Sequence, residues 1–400
     1  MFLAALLVLV PAAASGDLTI YCLDVGQGDA TLVVSSSGQT LLFDGGDNGK
    51  GNSVINPYLS SLGISNLTYM AASHHHADHI GGLDEVYTGT GVDSACYDRG
   101  WSYTTQTYQS YANTVAPLRQ TISDGQTIDL GDGVTVQCVA VNGNGVLSSP
   151  FTQPPHDEND LCVVLIVTCG EFDFIVGGDL GGYNTSSYAD IETSLSLELS
   201  EVEVYRVNHH GSGYSSNPSF LATLSPEVSV ISVGTNGYGH PTQSAIDRIV
   251  AAGSYIYQTE LGSGGTIPPG SGEVVGGHVI IETDGATYYS VDGDVYDLEG
   301  TVAVDLVDQA VPFAGLLDAC PNPFYSTTAL RYRVHRPAQR NVIALFDVLG
   351  RQLRSWEVTG SGELLWDGTD ASGAPVASGI YFCTMTNSDG IQTRKILLTR

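Results

Sequence analysis

The chain alternates short apolar runs, rich in β-branched residues, with segments whose apolar positions recur every three to four residues. Alternation over four to eight residues predicts strands, and the longer period predicts helices. The predicted strands are residues 18–24, 31–34, 40–44, 67–73, 92–97, 134–141, 161–168, 172–176, 203–208, 228–233, 278–283 and 287–291. The predicted helices are residues 52–62, 82–88, 104–115 and 243–252, the last of them capped by Thr242. This order predicts an α/β fold in which two mixed sheets are covered by helices on both outer faces.

A second pattern begins near residue 319, where short alternating strands are separated by Gly turns. This pattern predicts a small all-β sandwich. Charge changes at the same point: the first 318 residues hold 5 Lys and Arg against 37 Asp and Glu, a net of −32, whereas residues 319–400 hold 9 against 6, a net of +3. We therefore expect a first domain over 16–295, a linker over 296–318 and a second domain over 319–400.

The chain begins with an almost wholly apolar stretch, residues 1–10, followed by the small residues of 11–15. This pattern predicts a signal peptide over residues 1–15, and therefore a secreted or cell-surface protein. No later apolar run approaches the roughly 20 residues that a membrane-spanning helix needs, so we predict no transmembrane segment. The acidic balance disfavours broad binding to duplex nucleic acid, which depends on Lys and Arg contacts to phosphates.

The strongest chemical signal is the pattern His74-x-His76-x-Asp78-His79, which follows the predicted strand 67–73. Neutral imidazole and carboxylate are metal ligands, and a buried carboxylate without a partner is heavily penalised. A solvated His-rich loop would explain neither the Asp nor the Gly81-Gly82 pair that follows. Two later strands end in the same way, one before Gly178-Asp179 and one before His209-His210. Candidate ligands at several strand ends predict a two-metal site at a rigid sheet edge.

Together with three further motifs, these segments resemble the metallo-β-lactamase-fold hydrolases, and most closely the branch of the hydrolase module of ComEC-type DNA-uptake proteins. The matching motifs are Leu23-Asp24-Val25-Gly26-Gln27-Gly28-Asp29-Ala30, Phe43-Asp44-Gly45-Gly46, His74 to Gly82, Gly178-Asp179, His209-His210-Gly211-Ser212 and Tyr238-Gly239-His240-Pro241. The resemblance covers roughly residues 17–292. It implies an αββα sandwich with two metal ions at the mouth between the sheets.

The resemblance also implies a role for each candidate residue. The implied metal ligands are His74 and His76 for the first metal, Asp78 and His79 for the second, Asp179 between them, and His209 as the remaining ligand of the second metal. The implied substrate-binding residues are Asn159, His210, Ser212 and Gln27. Asp24, Asp29 and Asp44, together with Gln27, are expected to brace the metal loops through hydrogen bonds. Zinc suits these ligands best, and a carboxylate-bridged pair also accepts manganese.

The third ligand of the first metal is left open by the sequence. Many members of the wider fold place a His in the segment that here reads Asp157 to Val164, whereas the ComEC-like branch commonly has an Asn at the position of Asn159. We favour Asn159 as a substrate-binding or bracing residue. The alternative is that His156, three residues earlier, completes the first metal's ligand set.

The function implied by this site is hydrolysis of a phosphodiester by a hydroxide held between two metals. Asp78 would orient that hydroxide, and His240 would contact a phosphate oxygen or protonate the leaving group; alternatively, His240 is a turn residue stacked on Pro241. Single-stranded nucleic acid is one expected substrate. The alternatives are hydrolysis of another ester or amide, such as a phosphocholine ester or a lactam, and a non-catalytic, surface-anchored metal-binding protein.

The last domain resembles the FlgD-type immunoglobulin-like module and the C-terminal sorting domains of exported bacterial proteins. The motifs that carry this resemblance are Asn322-Pro323-Phe324, Asp347 to Arg351, Trp366-Asp367-Gly368 and Gly379-Ile380-Tyr381. The resemblance implies that this domain engages secretion or cell-surface machinery. Trp366 and Tyr381 are expected to be core residues.

Overall fold

A computed structural model describes residues 17–143, 157–298, 316–320, 324–332, 341–348, 350–358, 362–387 and 390–399. The predicted signal peptide, most of the predicted linker and His156 lie outside these ranges. The chain divides into two compact units, and the division falls between residues 292 and 302.

The strands of the first unit are β1 (Leu18–Cys22), β2 (Thr31–Ser35), β3 (Thr40–Phe43), β4 (Leu67–Ala71), β5 (Val92–Asp98), β6 (Arg119–Thr121), β7 (Thr127–Asp129), β8 (Val134–Ala140), β9 (Val164–Cys169), β10 (Phe172–Val176), β11 (Val204–Arg206), β12 (Val228–Ile231), β13 (Tyr255–Gln258), β14 (Gly272–Val274), β15 (Val279–Thr283), β16 (Tyr288–Val291) and β17 (Asp294–Asp297). Its helices are α1 (Asn56–Ser61), α2 (Ala77–Ile80), α3 (Leu83–Gly89), α4 (Gln106–Thr114), α5 (Glu192–Leu195), α6 (Pro218–Leu224) and α7 (Gln243–Ala251). None of the described helices combines the length and the apolar character that crossing a membrane requires.

These strands form two mixed sheets. The first has nine strands in the order β17-β16-β15-β1-β2-β3-β4-β5-β6, and the second has eight in the order β14-β13-β12-β11-β10-β9-β8-β7. In the first sheet β3, β4, β5 and β6 run parallel to one another, and in the second β10 to β14 do so. Because the carboxyl ends of parallel strands meet at one edge, loops distant in sequence are brought together there.

The apolar side chains separate into three layers. Ile20 and Phe43 of the first sheet pack with Phe174 and Val204 of the second in a core between the two sheets. The outer face of the first sheet packs against α1, α3 and α4, and that of the second sheet packs against α5, α6 and α7. The predicted αββα arrangement is confirmed.

The sequence pattern missed the shorter elements. A π-helical turn, Gly51–Ile55, precedes α1 where one continuous helix was expected. Helices α2, α5 and α6 and strands β6, β7, β13, β14 and β17 were not predicted, and β17 extends into the predicted linker. Each is too short to show a period of its own, so only packing against its neighbours defines it. Helix α7 begins as predicted, with the Thr242 hydroxyl accepting a hydrogen bond from the Ala245 N–H.

The described residues of the second unit form only β-strands and the turns between them, in agreement with the predicted all-β domain. Its strands are β18 (Leu316–Cys320), β19 (Thr328–Tyr332), β20 (Asn341–Asp347), β21 (Gln352–Val358), β22 (Gly362–Trp366), β23 (Gly379–Asn387) and β24 (Gly390–Leu398). They form a three-stranded sheet, β18-β19-β22, and a four-stranded sheet, β21-β20-β23-β24. Trp366 and Tyr381 lie buried in its core, and the Trp366 indole donates a hydrogen bond to the Thr369 carbonyl at 2.9 Å.

Candidate metal centre

The candidate ligands lie on loops that leave the ends of β4, β10 and β11. His74 and His76 follow β4, and Asp78 and His79 lie in the short helix α2, which begins directly after His76. Asp179 follows β10, with Gly177 and Gly178 between them. His209 and His210 lie in a 3-10 turn, Asn208–Gly211, just after β11, which pairs in parallel with β10. Loops from both sheets therefore bring together side chains from three segments of the chain.

The first ligand group consists of His74, His76 and Asp179. The His74 Nε2 atom lies 3.0 Å from the His76 Nδ1 atom and 3.9 Å from the Asp179 Oδ2 atom. The alternation of the chain after β4 turns His75 to the opposite side, where it packs against the Tyr108 ring. Three atoms at such distances can share one cation.

The second ligand group consists of Asp78, His79 and His210. The His210 Nε2 atom lies 3.4 Å from the Asp78 Oδ2 atom, and the His79 Nε2 atom lies 4.0 Å from it. The Asp179 Oδ1 atom lies 3.1 Å from His79 Nε2 and 3.5 Å from His210 Nε2. Asp179 therefore presents one oxygen to each group, which is the geometry that a bridging carboxylate needs.

The positions of His209 and His210 differ from those we expected. His209, predicted as a ligand of the second metal, has its Nε2 atom 3.5 Å from the Asp179 Oδ2 atom, on the side of the first group. His210, predicted to line the substrate site, instead stands among the second group. Both residues have left-handed backbone angles, with φ of 53° and 52°. Such a turn breaks the alternation of a strand, so sequence spacing does not reveal which His faces which group.

Several buried polar atoms of these groups converge on one another without a well-aligned hydrogen bond. Within the described part of the chain, they are His79 Nε2, Asp179 Oδ1 and His210 Nε2. Leaving such atoms unpaired costs free energy. Lone pairs of imidazole and carboxylate that converge in this way fit divalent cations, which would satisfy all of them at once.

Asp44 braces His79 through the Nδ1 atom, on the side of the ring away from the ligand groups. Its Oδ2 atom accepts a hydrogen bond from the His79 Nδ1–H at 2.8 Å, and it also accepts from the Ser73 hydroxyl at 2.7 Å. The Ser73 N–H donates to the other oxygen of Asp44 at 2.7 Å. Because Asp44 keeps a proton on the His79 Nδ1 atom, Nε2 is the atom of this ring that a metal ion at the centre would bind in place of a proton.

Asp29 and a backbone carbonyl brace His210. The His210 Nδ1 atom lies 3.0 Å from the Ser232 carbonyl oxygen and 3.2 Å from the Asp29 Oδ1 atom. The guanidinium of Arg206, itself buried, donates to the same Asp29 oxygen. These bracing roles of Asp29 and Asp44 agree with the arrangement we expected.

The electrostatics of the centre are dominated by Asp179. Burial opposes charging of His79, but Asp179 and Asp44 outweigh it and hold the pKa of His79 well above its usual range. In the same way burial is outweighed at His210, whose pKa is raised to about 10 by Asp179 and Asp29. Protons on these two imidazoles neutralise the carboxylates. A divalent cation would supply the same positive charge, so metal binding would displace protons.

A cleft of about 610 Å³ opens above these groups. It is lined by Gln27, His76, Ala77, Asp78, Thr105, Asp157, Asn159, Asp179, Tyr188, His209, His210, Ser212, Tyr214, Tyr238 and His240. All four residues predicted to bind substrate are therefore present, as is His240. Asn159 Oδ1, Gln27 Nε2 and His240 Nδ1 are buried atoms for which the described residues supply no hydrogen-bond partner. These atoms are available to a bound molecule.

The turn that carries Asn159 is held by a buried ion pair. Glu158 accepts two hydrogen bonds from Arg99, at 2.7 and 2.6 Å, and a third from the His75 N–H at 2.8 Å. The turn is thereby tied to the loop that carries His74 and His76. His156 lies outside the described residues, so the choice between Asn159 and His156 stays open.

Several residues at the site were not identified from the sequence. Ser73, Glu158 and Arg99 act through hydrogen bonds that only the folded chain forms, and no motif marks them. Tyr188 and Tyr214 line the cleft from loops with no recognisable signature. Tyr238 belongs to a motif that we noted for His240, which was the one available signal.

The sequence of the chain can be compared with those of known protein families. The family model described as the metallo-beta-lactamase superfamily matches residues 23–235, which is more than half of the chain. The chain belongs to this superfamily. The matched range contains both ligand groups, Asp44 and Asn159 but ends before Tyr238 and His240.

The relatives found by sequence are longer proteins. The chain is 29% identical to competence protein ComA of Neisseria gonorrhoeae over 240 residues, which cover 60% of this chain and 30% of the relative. It is 27% identical to recombination protein 2 of Haemophilus influenzae over 252 residues, which cover 60% of this chain and 27% of the relative. The chain thus spans about a third or less of these relatives. Among solved structures, zinc-bound PqqB of Methylobacterium extorquens aligns with a TM-score of 0.36 at 13% identity, over 57% of this chain and 85% of that one.

Proposed function

We propose that this superfamily hydrolase is a metal-dependent phosphodiesterase that acts on short or single-stranded nucleic acid. The observation that carries the proposal is the position of Asp179, whose two oxygens face two separate ligand groups at the floor of an open cleft. When bound there, two divalent cations, zinc or manganese, would activate water and stabilise negative charge on phosphoryl oxygens.

The protein's own residues then have distinct tasks. His74, His76 and Asp179 would hold one cation, and Asp78, His79 and His210 the other, with His209 beside the first group. This assignment exchanges the expected roles of His209 and His210. It rests on the distances to the two oxygens of Asp179.

Above the metals, the cleft offers groups suited to a phosphodiester. The side chain of Asp78 is partly exposed, so it can accept a hydrogen bond from an attacking water molecule. The amide of Asn159 and the ring of His240 line the same cleft and can donate hydrogen bonds to phosphate oxygens. Donors fixed in a partly dry site stabilise charge that develops during the reaction.

The names of the relatives support nucleic acid as the substrate class. One matched relative is a competence protein and another is a recombination protein, and recombination is a process of nucleic acids. The acidic composition of this chain argues against tight binding of long duplexes. A short or single-stranded substrate reconciles the two observations.

The test is a substrate panel on purified protein that has been stripped with chelator and reloaded with zinc or manganese. Bis-p-nitrophenyl phosphate and a single-stranded oligonucleotide should be hydrolysed only after reloading, and metal analysis should give close to two equivalents. His76→Ala and Asp179→Asn should lose metal and reduce activity by more than about 100-fold. This loss should exceed the roughly 10- to 100-fold loss that follows when a residue supporting a metal ligand is removed. Asp132→Asn, at an exposed position, serves as the matched control.

Each other outcome has a clear meaning. Hydrolysis of a lactam or a phosphocholine ester without any phosphodiester cleavage would replace this proposal with the alternative ester or amide hydrolase. Two bound metals with no turnover across the panel would favour a non-catalytic metal-binding protein. Metal content near zero after reloading would contradict the metal centre itself.

We also propose that the protein is exported and that its all-β second unit engages secretion or cell-surface machinery. The apolar residues 1–10 with the small residues of 11–15 support export. Sequencing the amino terminus of protein recovered from culture medium or the cell surface tests this, because cleavage should leave residue 16 first. Intact residues 1–15 on cytoplasmic protein would contradict it.

A further inference from the structure

We propose that the cleft binds its substrate by stacking aromatic bases on tyrosine rings on either side of the metal centre, which makes a short single-stranded nucleotide phosphodiester its substrate class. This inference rests on the proposed function and extends it. It starts from five rings that we call the aromatic file: Tyr214, Tyr188, His209, His240 and Tyr238.

The rings of the file follow one another without a gap. The centroid of Tyr214 lies 5.6 Å from that of Tyr188, and Tyr188 lies 6.0 Å from His209. His209 lies 5.3 Å from His240, which lies 5.8 Å from Tyr238. The two imidazoles at the middle of the file stand beside Asp179 and the metal ligands. The tyrosines therefore lie on both sides of the place where a scissile phosphodiester would bind.

The ends of the file are open to a ligand. Tyr214 is 52% exposed and Tyr238 is 76% exposed, although both line the cleft. Large aromatic side chains are normally more buried, because they carry much apolar surface. Rings that line a cleft and remain exposed offer faces on which another planar ring can stack.

The backbone around each ring is fixed by hydrogen bonds. The Gly182 N–H donates to the Tyr214 carbonyl at 2.8 Å, and the Tyr188 N–H donates to the Thr185 hydroxyl at 2.9 Å. On the other side, the N–H groups of Tyr238 and His240 both donate to the Asn236 side-chain oxygen at 3.0 Å. The loops that carry the three tyrosines are thus braced, and little conformational entropy is lost when a base stacks on them.

The charge of the cleft lining disfavours binding a nucleic acid through contacts of basic side chains with its phosphate backbone. Of the described residues that line the cleft, none is Lys or Arg, whereas Asp78, Asp157 and Asp179 are acidic. The described lining therefore supplies no basic side chain for a phosphate backbone but offers neutral rings, which bind bases without sequence preference.

The test measures binding without turnover. Dithymidine joined by an uncleavable, uncharged methylphosphonate is titrated into the metal-loaded protein by calorimetry, alongside the same backbone without bases. The wild type should bind the base-bearing compound at least about tenfold more tightly. Tyr214→Ala combined with Tyr238→Ala should abolish that preference, whereas the Phe pair should retain it. Tyr325→Ala, a similarly exposed tyrosine of the second unit, is the matched control.

Equal affinity for the two compounds in the wild type, or a preference that survives the Ala pair, would overturn the inference. Hydrolysis of bis-p-nitrophenyl phosphate on the same preparation separates this failure from failure of the proposed function. Hydrolysis with no base preference removes only the aromatic subsites. Base preference with no hydrolysis of any phosphodiester removes the proposed function and leaves the subsites.

Discussion

Asp44 shows how one residue outside the ligand groups sets the chemistry of a residue within them. Its carboxylate accepts hydrogen bonds from the ring of His79 and from both donors of Ser73. It adopts a left-handed backbone angle, with φ of 63°, which Asp and Asn tolerate better than most residues. The position therefore requires a short side chain with a carboxylate.

We expect Asp44→Asn to weaken metal binding about 10- to 100-fold while the backbone is retained. The Asn amide cannot accept on both sides, so the proton of His79 is no longer held at Nδ1. The measurement is a competitive zinc titration against a chromophoric chelator, with Asp132→Asn as control. An affinity within twofold of the wild type would contradict the bracing role of Asp44.

Gly28 is a second residue whose identity follows from its position. Its φ of 135° is accessible to Gly, and a Cβ atom built there would lie 2.5 Å from the Asp78 carbonyl oxygen. The Asp29 N–H donates to that same carbonyl at 3.1 Å. The loop that contains Gly28 thus lies directly against the backbone of helix α2.

Gly28→Ala should therefore lower both the free energy of unfolding and the metal content. The matched control is Gly38→Ala, at a φ of 81° with no atom within 4 Å, where only backbone strain of about 1–2 kcal/mol applies. Thermal unfolding and metal analysis of both variants provide the comparison. Equal losses of stability with full metal content in both would show that contact with α2 does not matter.

At the scale of elements, the ion pair between Glu158 and Arg99 joins three segments. Arg99 follows strand β5, Glu158 precedes the 3-10 turn Asn159–Leu161, and the His75 N–H belongs to the loop after β4. Both side chains are buried. Losing one partner would leave the other charged and buried, which is far more costly than losing a surface pair.

Accordingly, Glu158→Gln should lower the free energy of unfolding by about 3 kcal/mol. It should also raise KM more than it lowers kcat, because the loosened turn carries Asn159, whereas the Gln oxygen can still accept the His75 N–H bond that ties the turn to the loop of His74 and His76. Chemical denaturation and steady-state kinetics on bis-p-nitrophenyl phosphate measure the two effects, with the exposed Glu171→Gln as control. A destabilised variant with the wild-type KM would show that the ion pair stabilises the fold but does not position Asn159.

At the scale of the whole molecule, charge sets the range of substrates. The chain carries a formal net charge of −29, and the described lining of the cleft contains acids but neither Lys nor Arg. A protein that binds nucleic acid through phosphate contacts releases counterions, so its affinity falls steeply as salt rises. Near the candidate metal centre, the described residues offer few such contacts.

The KM for a single-stranded oligonucleotide should therefore change by less than about threefold between 50 and 200 mM salt. A protein that makes six to ten phosphate contacts would lose about 10³- to 10⁵-fold in affinity over the same range. Initial rates at several salt concentrations with constant metal measure this. A steep rise in KM would point to a basic surface elsewhere on the chain.

The sequence alone determined which candidate ligand types are present and which strands lead into them. His74, His76, Asp78, His79 and Asp179 could be recognised because each stands a few residues beyond an apolar strand, and this relation is local. The αββα layers could also be predicted, since the order of strands and helices restricts how apolar faces can pack. Short elements such as α2 could not, because they have no period of their own.

Only the tertiary structure decided how these pieces meet. The exchanged positions of His209 and His210 follow from a left-handed turn that no spacing rule describes. The braces Asp44 to His79 and Asp29 to His210 join residues 35 and 181 positions apart. The aromatic file depends equally on loops distant in sequence. Local spacing therefore fixed which chemical groups are present, and long-range packing fixed which atoms face one another.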